Sequence, residues 1–210
     1  MPTKDYKNAD GKPLKGVTTI LRVMNAPALV GWAYKQGKAG VPLYESRDKA
    51  ADAGTLAHLY VENHLKGLPE PSRDGVPQDI IEKAESCYLA FLEWEKAHSF
   101  QMVESEISLV SEEYQYGGTI DIGAIVNELG IVDIKTSSGI YFSHKVQVSA
   151  YGRLWTENFP DKPIKGYHIL RLGDQGDFAH HYWPQLNEEW EAFKACLIIQ
   201  GVLDRTKQKL

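Results

Sequence analysis

Two aspartates and a lysine interrupt an isoleucine-rich run between Gly118 and Lys135. Asp121 stands between Ile120 and Ile122, and Asp133 between Val132 and Ile134, two residues before Lys135. A carboxylate set in an apolar strand is costly unless a cation neutralises it. Ile120, Ile122, Ala124 and Val126 alternate with Thr119, Asp121, Gly123 and Ile125, the period of two that marks a strand. Asn127-Glu128-Leu129-Gly130 supplies turn residues, and Ile131 to Lys135 reads as the return strand. Side chains two apart in a strand share a face, so Asp133 and Lys135 should point the same way.

Other residues can join this hairpin only if the fold brings them in. Gly54-Thr-Leu-Ala-His58 lies on a helix expected from Ser46 to Lys66. Gly54 costs that helix about 1 kcal/mol relative to alanine and is best tolerated where another chain segment or a ligand comes close. Gln147 and Tyr151 are one turn apart on a later helix, expected from a Ser143 cap to about Phe159, and so share a face. Two carboxylates and an imidazole form a mixed oxygen and nitrogen site for a divalent cation. Magnesium or manganese suits the acids, and the histidine tilts the choice toward manganese. Such an ion polarises a phosphodiester and lowers the pKa of bound water. Lys135 beside it would orient the attacking water and offset charge building on phosphate. Each residue also has an ordinary role: His58 in a core, Asp121 capping a turn, Lys135 pairing with Asp133, Gln147 facing solvent.

Four segments, in this order, carry a resemblance: Gly54-Thr-Leu-Ala-His58, Gly118-Thr-Ile-Asp121, Val132-Asp133-Ile134-Lys135-Thr136 and Gln147-Val-Ser-Ala-Tyr151. They resemble the successive motifs of the RecB-like exonucleases of the PD-(D/E)XK nuclease superfamily. That group includes phage exonucleases, CRISPR-associated exonucleases and the mitochondrial genome maintenance exonuclease. The resemblance runs from Gly54 to Tyr151, and Val17-Thr-Thr-Ile-Leu adds a phage-exonuclease-like opening. It implies that His58, Asp121, Asp133 and the Ile134 backbone carbonyl ligate the metal. It also implies that Lys135 is the catalytic lysine, and that Gln147 and Tyr151 organise the site and contact the substrate strand. Thr136 and Ser137 follow the lysine and would either touch a phosphate or end the strand. Cys87 and Cys196 are too few for a four-thiolate iron-sulfur cluster, so no cluster is expected. No Gly-Lys-Ser/Thr phosphate loop is present, so no ATP-driven motor is expected.

The fold implied is α/β: a restriction-endonuclease-like core with a central mixed β-sheet flanked by helices and N-terminal helical additions. One domain should span 1–210, helical over about 17–98, with the catalytic sheet and its helices over about 100–205. Thr18 is a candidate cap for a short helix, and Ala28 to Lys38 reads as another. Gln78 to His98 has strong helical periodicity. Gln101 to Val110 alternates and should be the first strand; Glu104 and Glu106 share one of its faces, more plausibly solvated than functional. Gly173-Asp-Gln-Gly176 should turn a second hairpin between Ile164–Leu172 and Asp177–Trp183. Asn187 to about Asp204 should close the fold with a helix, followed by a frayed charged tail to Leu210.

The 210 residues carry a net charge of -5, which argues against coating DNA by charge alone. An acidic, metal-holding enzyme site remains compatible. The expected activity is divalent-metal-dependent hydrolysis of DNA, by an exonuclease acting on single strands or DNA ends in recombination, repair or phage DNA processing. The alternatives are a non-catalytic DNA-binding or assembly module and a structure-specific endonuclease. DNA contacts would come from Arg22, Lys35, Lys38, Lys145 and Arg153 along the backbone, with Trp32 or Tyr141 stacking on a base. A single-strand-binding or annealing protein is a candidate partner. With neither an apolar leader nor a membrane-length run, the expected location is the cytoplasm of a bacterium or of a phage-infected host, with no membrane partner.

Overall fold

The computed structural model describes residues 5–24, 27–40, 42–126 and 128–207. The chain opens with β1 (Tyr6–Lys7) and β2 (Pro13–Gly16), an antiparallel pair, then α1 (Val17–Ile20) and a 3-10 turn at Leu21–Val23. Three helices follow: α2 (Pro27–Lys38), α3 (Leu43–Leu65) and α4 (Gln78–Ala97). Next come β3 (Phe100–Ser111), β4 (Tyr116–Val126) and β5 (Glu128–Lys135), which form an antiparallel meander. The helix α5 (Phe142–Asn158) then crosses to β6 (Gly166–Leu172), which pairs parallel with β5. Finally β7 (Phe178–Trp183) returns antiparallel to β6, and α6 (Asn187–Lys207) closes the chain.

The seven strands form one mixed sheet in the order β1-β2-β4-β5-β6-β7, with β3 pairing β4 off that path. Helices cover both faces, which is the α/β arrangement expected. A parallel pair needs a crossover connection, and α5 supplies it between β5 and β6. β5 is buried on both sides: Val132 and Ile134 join the core under α3 and α4, while Ile131 joins the core under α5 and α6. A strand buried on both faces reads as a continuous apolar run, which is why Asp133 stands out within it.

Several local expectations are corrected. Thr18 and Ser143 lie inside α1 and α5 rather than capping them, because Gly16 and Tyr141 hold the N-cap positions. Glu128, Leu129 and Gly130 belong to β5 rather than to a turn, with Glu128 paired to Val126. Asn127 lies outside the described residues. α6 continues to Lys207, and Asp204 is not frayed: its carboxylate accepts a 2.6 Å bond from Lys15 Nζ. Residues 208–210 of the expected tail lie outside the described residues.

Candidate metal and phosphodiester site

The register of the meander assembles the acids. Ser105 pairs with Ile122 and Ile107 with Ile120, which sets Glu106 abreast of Asp121. Ile122 pairs with Val132, so Asp121 is in turn abreast of Asp133 on β5. The third contribution comes from α3. A Cβ added at Gly54 would meet Thr136 Oγ1 at 2.8 Å, so the bare glycine lets α3 press against the chain just beyond Lys135. One turn further along α3, His58 Nδ1 stands 3.8 Å from Asp121 Oδ2.

The Ile134 peptide lies between these groups. Its N–H donates to Asp121 Oδ2 at 2.8 Å, and its carbonyl faces the His58 imidazole. The expected carbonyl ligand therefore sits beside the expected histidine. His58, Glu106 and Asp121 each offer a ligand atom within 4.8 Å of the others. Glu106 is the surprise in this set. Its backbone adopts φ 51°, in the left-handed region that a non-glycine residue occupies at a cost of about 1–3 kcal/mol. A bulge between Met102 and Glu104 precedes it. The shared face of Glu104 and Glu106 was the one signal in the sequence, and it could not report the bulge that re-aims Glu106 toward His58 and Asp121.

Asp133 is 1% exposed and is drawn to Lys135, whose Nζ stands 2.6 Å from Oδ2. Apart from that contact, both Asp133 oxygens are buried without a hydrogen-bond partner among the described residues. Burial pushes its carboxyl above the usual range, against the pull of Lys135. His58 is pushed down to about 4, first by burial and then by the Lys135 charge, so its imidazole is neutral and keeps a lone pair for a metal. A neutral imidazole, two converging carboxylates and a buried carboxylate paired with Lys135 alone suit a divalent cation.

On the α5 side, Gln147 Nε2 donates to Tyr151 Oη at 2.8 Å. The Tyr151 hydroxyl is held well above its ordinary pKa, first by burial and then by the charges of Asp133 and Asp121. Its ring fills the space left at Gly118, where a Cβ would lie 2.8 Å from it. The motif glycine thus seats the tyrosine. His144, also on α5, is pushed down to about 4 by burial and by Lys135, and carries no motif signature in the sequence.

The expected DNA contacts are dispersed. Ser137 Oγ donates to the Gly139 carbonyl at 2.8 Å, within the loop leading to α5. Tyr141 caps α5, is half-exposed, and packs edge-on against His144. Lys145 is ion-paired with Glu189 on α6 and lies over Trp183. Arg153 lies over Tyr114 and Trp190, in the packing between α5 and α6. Arg22, Lys35 and Lys38 are exposed, and Trp32 is half-buried on α2.

No known family profile matches the chain, and no curated protein matches it in sequence. Solved structures similar to it include the following two. One is a candidate exonuclease from Eubacterium rectale, 13% identical, with a TM-score of 0.45 over 68% of this chain and 64% of that one. The other is designated SSO0001, 19% identical, with a TM-score of 0.37 over 61% of this chain and 60% of that one. The chain therefore spans less than two thirds of the length of either.

Proposed function

We propose that this protein is a divalent-metal-dependent deoxyribonuclease that hydrolyses phosphodiester bonds at DNA ends or in single strands. The observation that carries the reading is Asp133: a wholly buried carboxylate with Lys135 as its one described polar partner, next to the converging His58, Glu106 and Asp121. A fold keeps such a group only for a strong return, and binding a cation supplies one. His58, Glu106, Asp121 and Asp133 would hold the ion, with the Ile134 carbonyl. When bound, magnesium or manganese polarises the phosphodiester and makes water a better nucleophile.

The chain's own residues do the rest. Asp133 holds the Lys135 ammonium at the end of β5, where three N–H donors can orient a water and meet the charge that gathers on the phosphate. The Ile134 N–H fixes one Asp121 oxygen and so sets which lone pairs face the site. Gln147 fixes the Tyr151 hydroxyl beneath the acids. His144 and the exposed face of Tyr141 lie at the start of α5, beside the path a strand would take past Lys135.

The test is release of nucleotides from end-labelled single- and double-stranded DNA in magnesium or manganese. Wild-type protein is compared with Asp133→Ala and Lys135→Ala, and a closed single-stranded circle reports cutting without ends. Equal activity in all three proteins removes the site assignment. Cutting of the circle replaces the exonuclease reading with an endonuclease one.

A further inference from the structure

A second constellation lies on the α4 side of the sheet. The helix α4 ends at Ala97, and His98 just beyond it lies beside the starts of β5 and β6 and the end of β7. A cavity of about 380 Å³ opens there, lined by His98, Glu128, Lys165, His168, His180 and Tyr182, together with Gly166. The β6–β7 register pairs His168 with Tyr182 and Leu170 with His180. Strand alternation then puts His168 and His180 on one face, two positions apart on neighbouring strands.

Two glycines make this arrangement possible. A Cβ at Gly130 would stand 2.9 Å from the His168 imidazole, and one at Gly166 would stand 2.2 Å from the Tyr182 ring. Both rings therefore lie directly over strand backbone.

The three imidazoles form a directed chain. His98 Nδ1 lies 2.8 Å from the Trp94 carbonyl, which can only accept, so His98 Nδ1 carries the proton and Nε2 the lone pair. His180 Nδ1 lies 3.5 Å from that lone pair and donates to it. His180 Nε2 is thereby left as a lone pair, aimed at His168 Nδ1 at 2.9 Å. Burial first, and neighbouring imidazoles second, push His168 and His180 down to about 4, so both are neutral at physiological pH. A histidine whose far N–H is fixed by an acceptor, with its near nitrogen unprotonated, is the ordinary preparation of a metal ligand.

We propose that His168 Nδ1 and His180 Nε2 chelate one late first-row divalent ion of the nickel, copper or zinc class at the mouth of this cavity. An ion about 2.0–2.1 Å from each nitrogen sees a 2.9 Å pair at about 90°, the cis angle of octahedral or square-planar coordination. The apo protein bridges the pair with a proton on His168 Nδ1. On binding, that proton moves to Nε2 of the same ring, freeing the Nδ1 lone pair for an ion that sits to one side of the N···N line. His98 is a positioning residue: its lone pair accepts from His180 Nδ1, so it holds the tautomer without itself reaching the ion. The cavity has room for waters to complete the shell, and Glu128 offsets charge from its wall while Lys165 opposes it. Two neutral nitrogens with no acid in contact give little to magnesium, so this site and the acid site should select different ions.

The probe is nickel chloride, with zinc chloride in parallel, added to the full chain without a histidine tag and in millimolar magnesium. Calorimetry should find one ion per chain at micromolar concentration. Affinity should fall at least tenfold in His168→Gln and in His180→Gln, and should persist in His58→Ala. Fluorescence is a second readout, because Trp94 packs against both His98 and His180, at ring separations of 5.2 and 5.5 Å. Nickel or copper should quench the wild type more than Trp94→Phe. His98→Gln should weaken binding less than His180→Gln, since glutamine can still accept from His180 Nδ1. Circular dichroism on each variant separates a lost ligand from a lost fold. Absence of saturable nickel binding overturns the proposal. So does nickel binding that survives in folded His168→Gln and vanishes in His58→Ala.

Discussion

Two ends of the same strands hold two unlike groups of donors. At the C-terminal end of β5, Asp133 and Lys135 meet Asp121, Glu106 and His58; at its N-terminal end, Glu128 opens onto His98, His168 and His180. The first group is rich in oxygen and stores electrostatic cost in a buried carboxylate held against one lysine. The second is rich in nitrogen, and burial keeps His168 and His180 neutral. The difference shows that burial acts in opposite senses on acids and bases. It makes the buried acid costly at one end and keeps His168 and His180 neutral at the other, bonded from ring to ring. Chemistry that needs a strong field belongs at the first end.

The largest expected effects break that contrast at the acid end. Lys135→Ala and Asp133→Ala should each lower DNA hydrolysis by at least about 10²-fold, the scale of losing one preorganised charge-stabilising group. His168→Gln should leave hydrolysis within about twofold. Initial rates on end-labelled DNA in magnesium check all three, and an equal loss in His168→Gln would merge the two ends into one functional unit. Lys135→Ala should also lower the melting temperature in the absence of metal, because it leaves the buried Asp133 charge unpaired. Manganese should restore most of that loss.

Glu106 sharpens the acid end next. Glu106→Gln should raise the manganese concentration for half-maximal activity about tenfold while leaving thermal stability near wild type. Glu106→Gly removes the same carboxylate but relaxes a backbone held at φ 51°, for a gain of about 1 kcal/mol against the usual cost of glycine. The pair therefore separates ligand from strain: both variants should lose metal affinity, and only Glu106→Gly should gain stability. Thermal melts with and without manganese make the comparison.

These residues also show what the sequence could and could not reveal. The helices α3, α4 and α5 and the strands β3, β4 and β5 were legible because apolar periodicity is a local property. The placement of His58, Asp121, Asp133 and Lys135 near one another was legible through the order of their motifs. Glu106 was not, since a bulge and a left-handed backbone decide where it points and neither has a residue-type signature there. Ser143 and Thr18 were misassigned as caps because capping propensity is weaker than the backbone geometry at Tyr141 and Gly16. His98, His168 and His180 come from three elements and meet only through the β6–β7 register and the end of α4. No spacing along the chain encodes that.

A smaller effect is expected at Gly54. A methyl group there would crowd Thr136 Oγ1 at 2.8 Å and lift α3, carrying His58 away from Asp121. Helix propensity favours alanine by about 1 kcal/mol, so Gly54→Ala should hold or raise stability while lowering activity about tenfold. Thr136→Ala in the same chain removes the crowding oxygen and should recover most of the activity. A double-mutant cycle on initial rates measures that coupling, and additive losses would show that Gly54 does not seat α3.

The smallest effect tests the neutral histidine end through pH. His168 and His180 are held near 4 in the folded protein, against 6.5 for ordinary histidine. The unfolded chain therefore binds more protons between those values, and stability must rise with pH across that window. Their contribution is fully present above about 6.5 and is lost as pH falls toward 4. The charged and titratable groups around them are His98 from the end of α4, His181 and Tyr182 from β7, and Lys165 and Glu128 around the cavity; of these, His98 and His181 reinforce the depression. The double variant His168→Gln/His180→Gln cannot take up those protons, so its denaturant midpoint should fall less steeply from pH 6.5 to 4 than that of the wild type. Above pH 7 the two midpoints should run parallel. His144 and His58, also depressed to about 4, and the raised Asp133 carboxyl stay in both proteins and contribute to the residual slope they share. Identical slopes in the two proteins would mean that His168 and His180 titrate as solvated groups, and the contrast between the two ends of the sheet would lose its electrostatic basis.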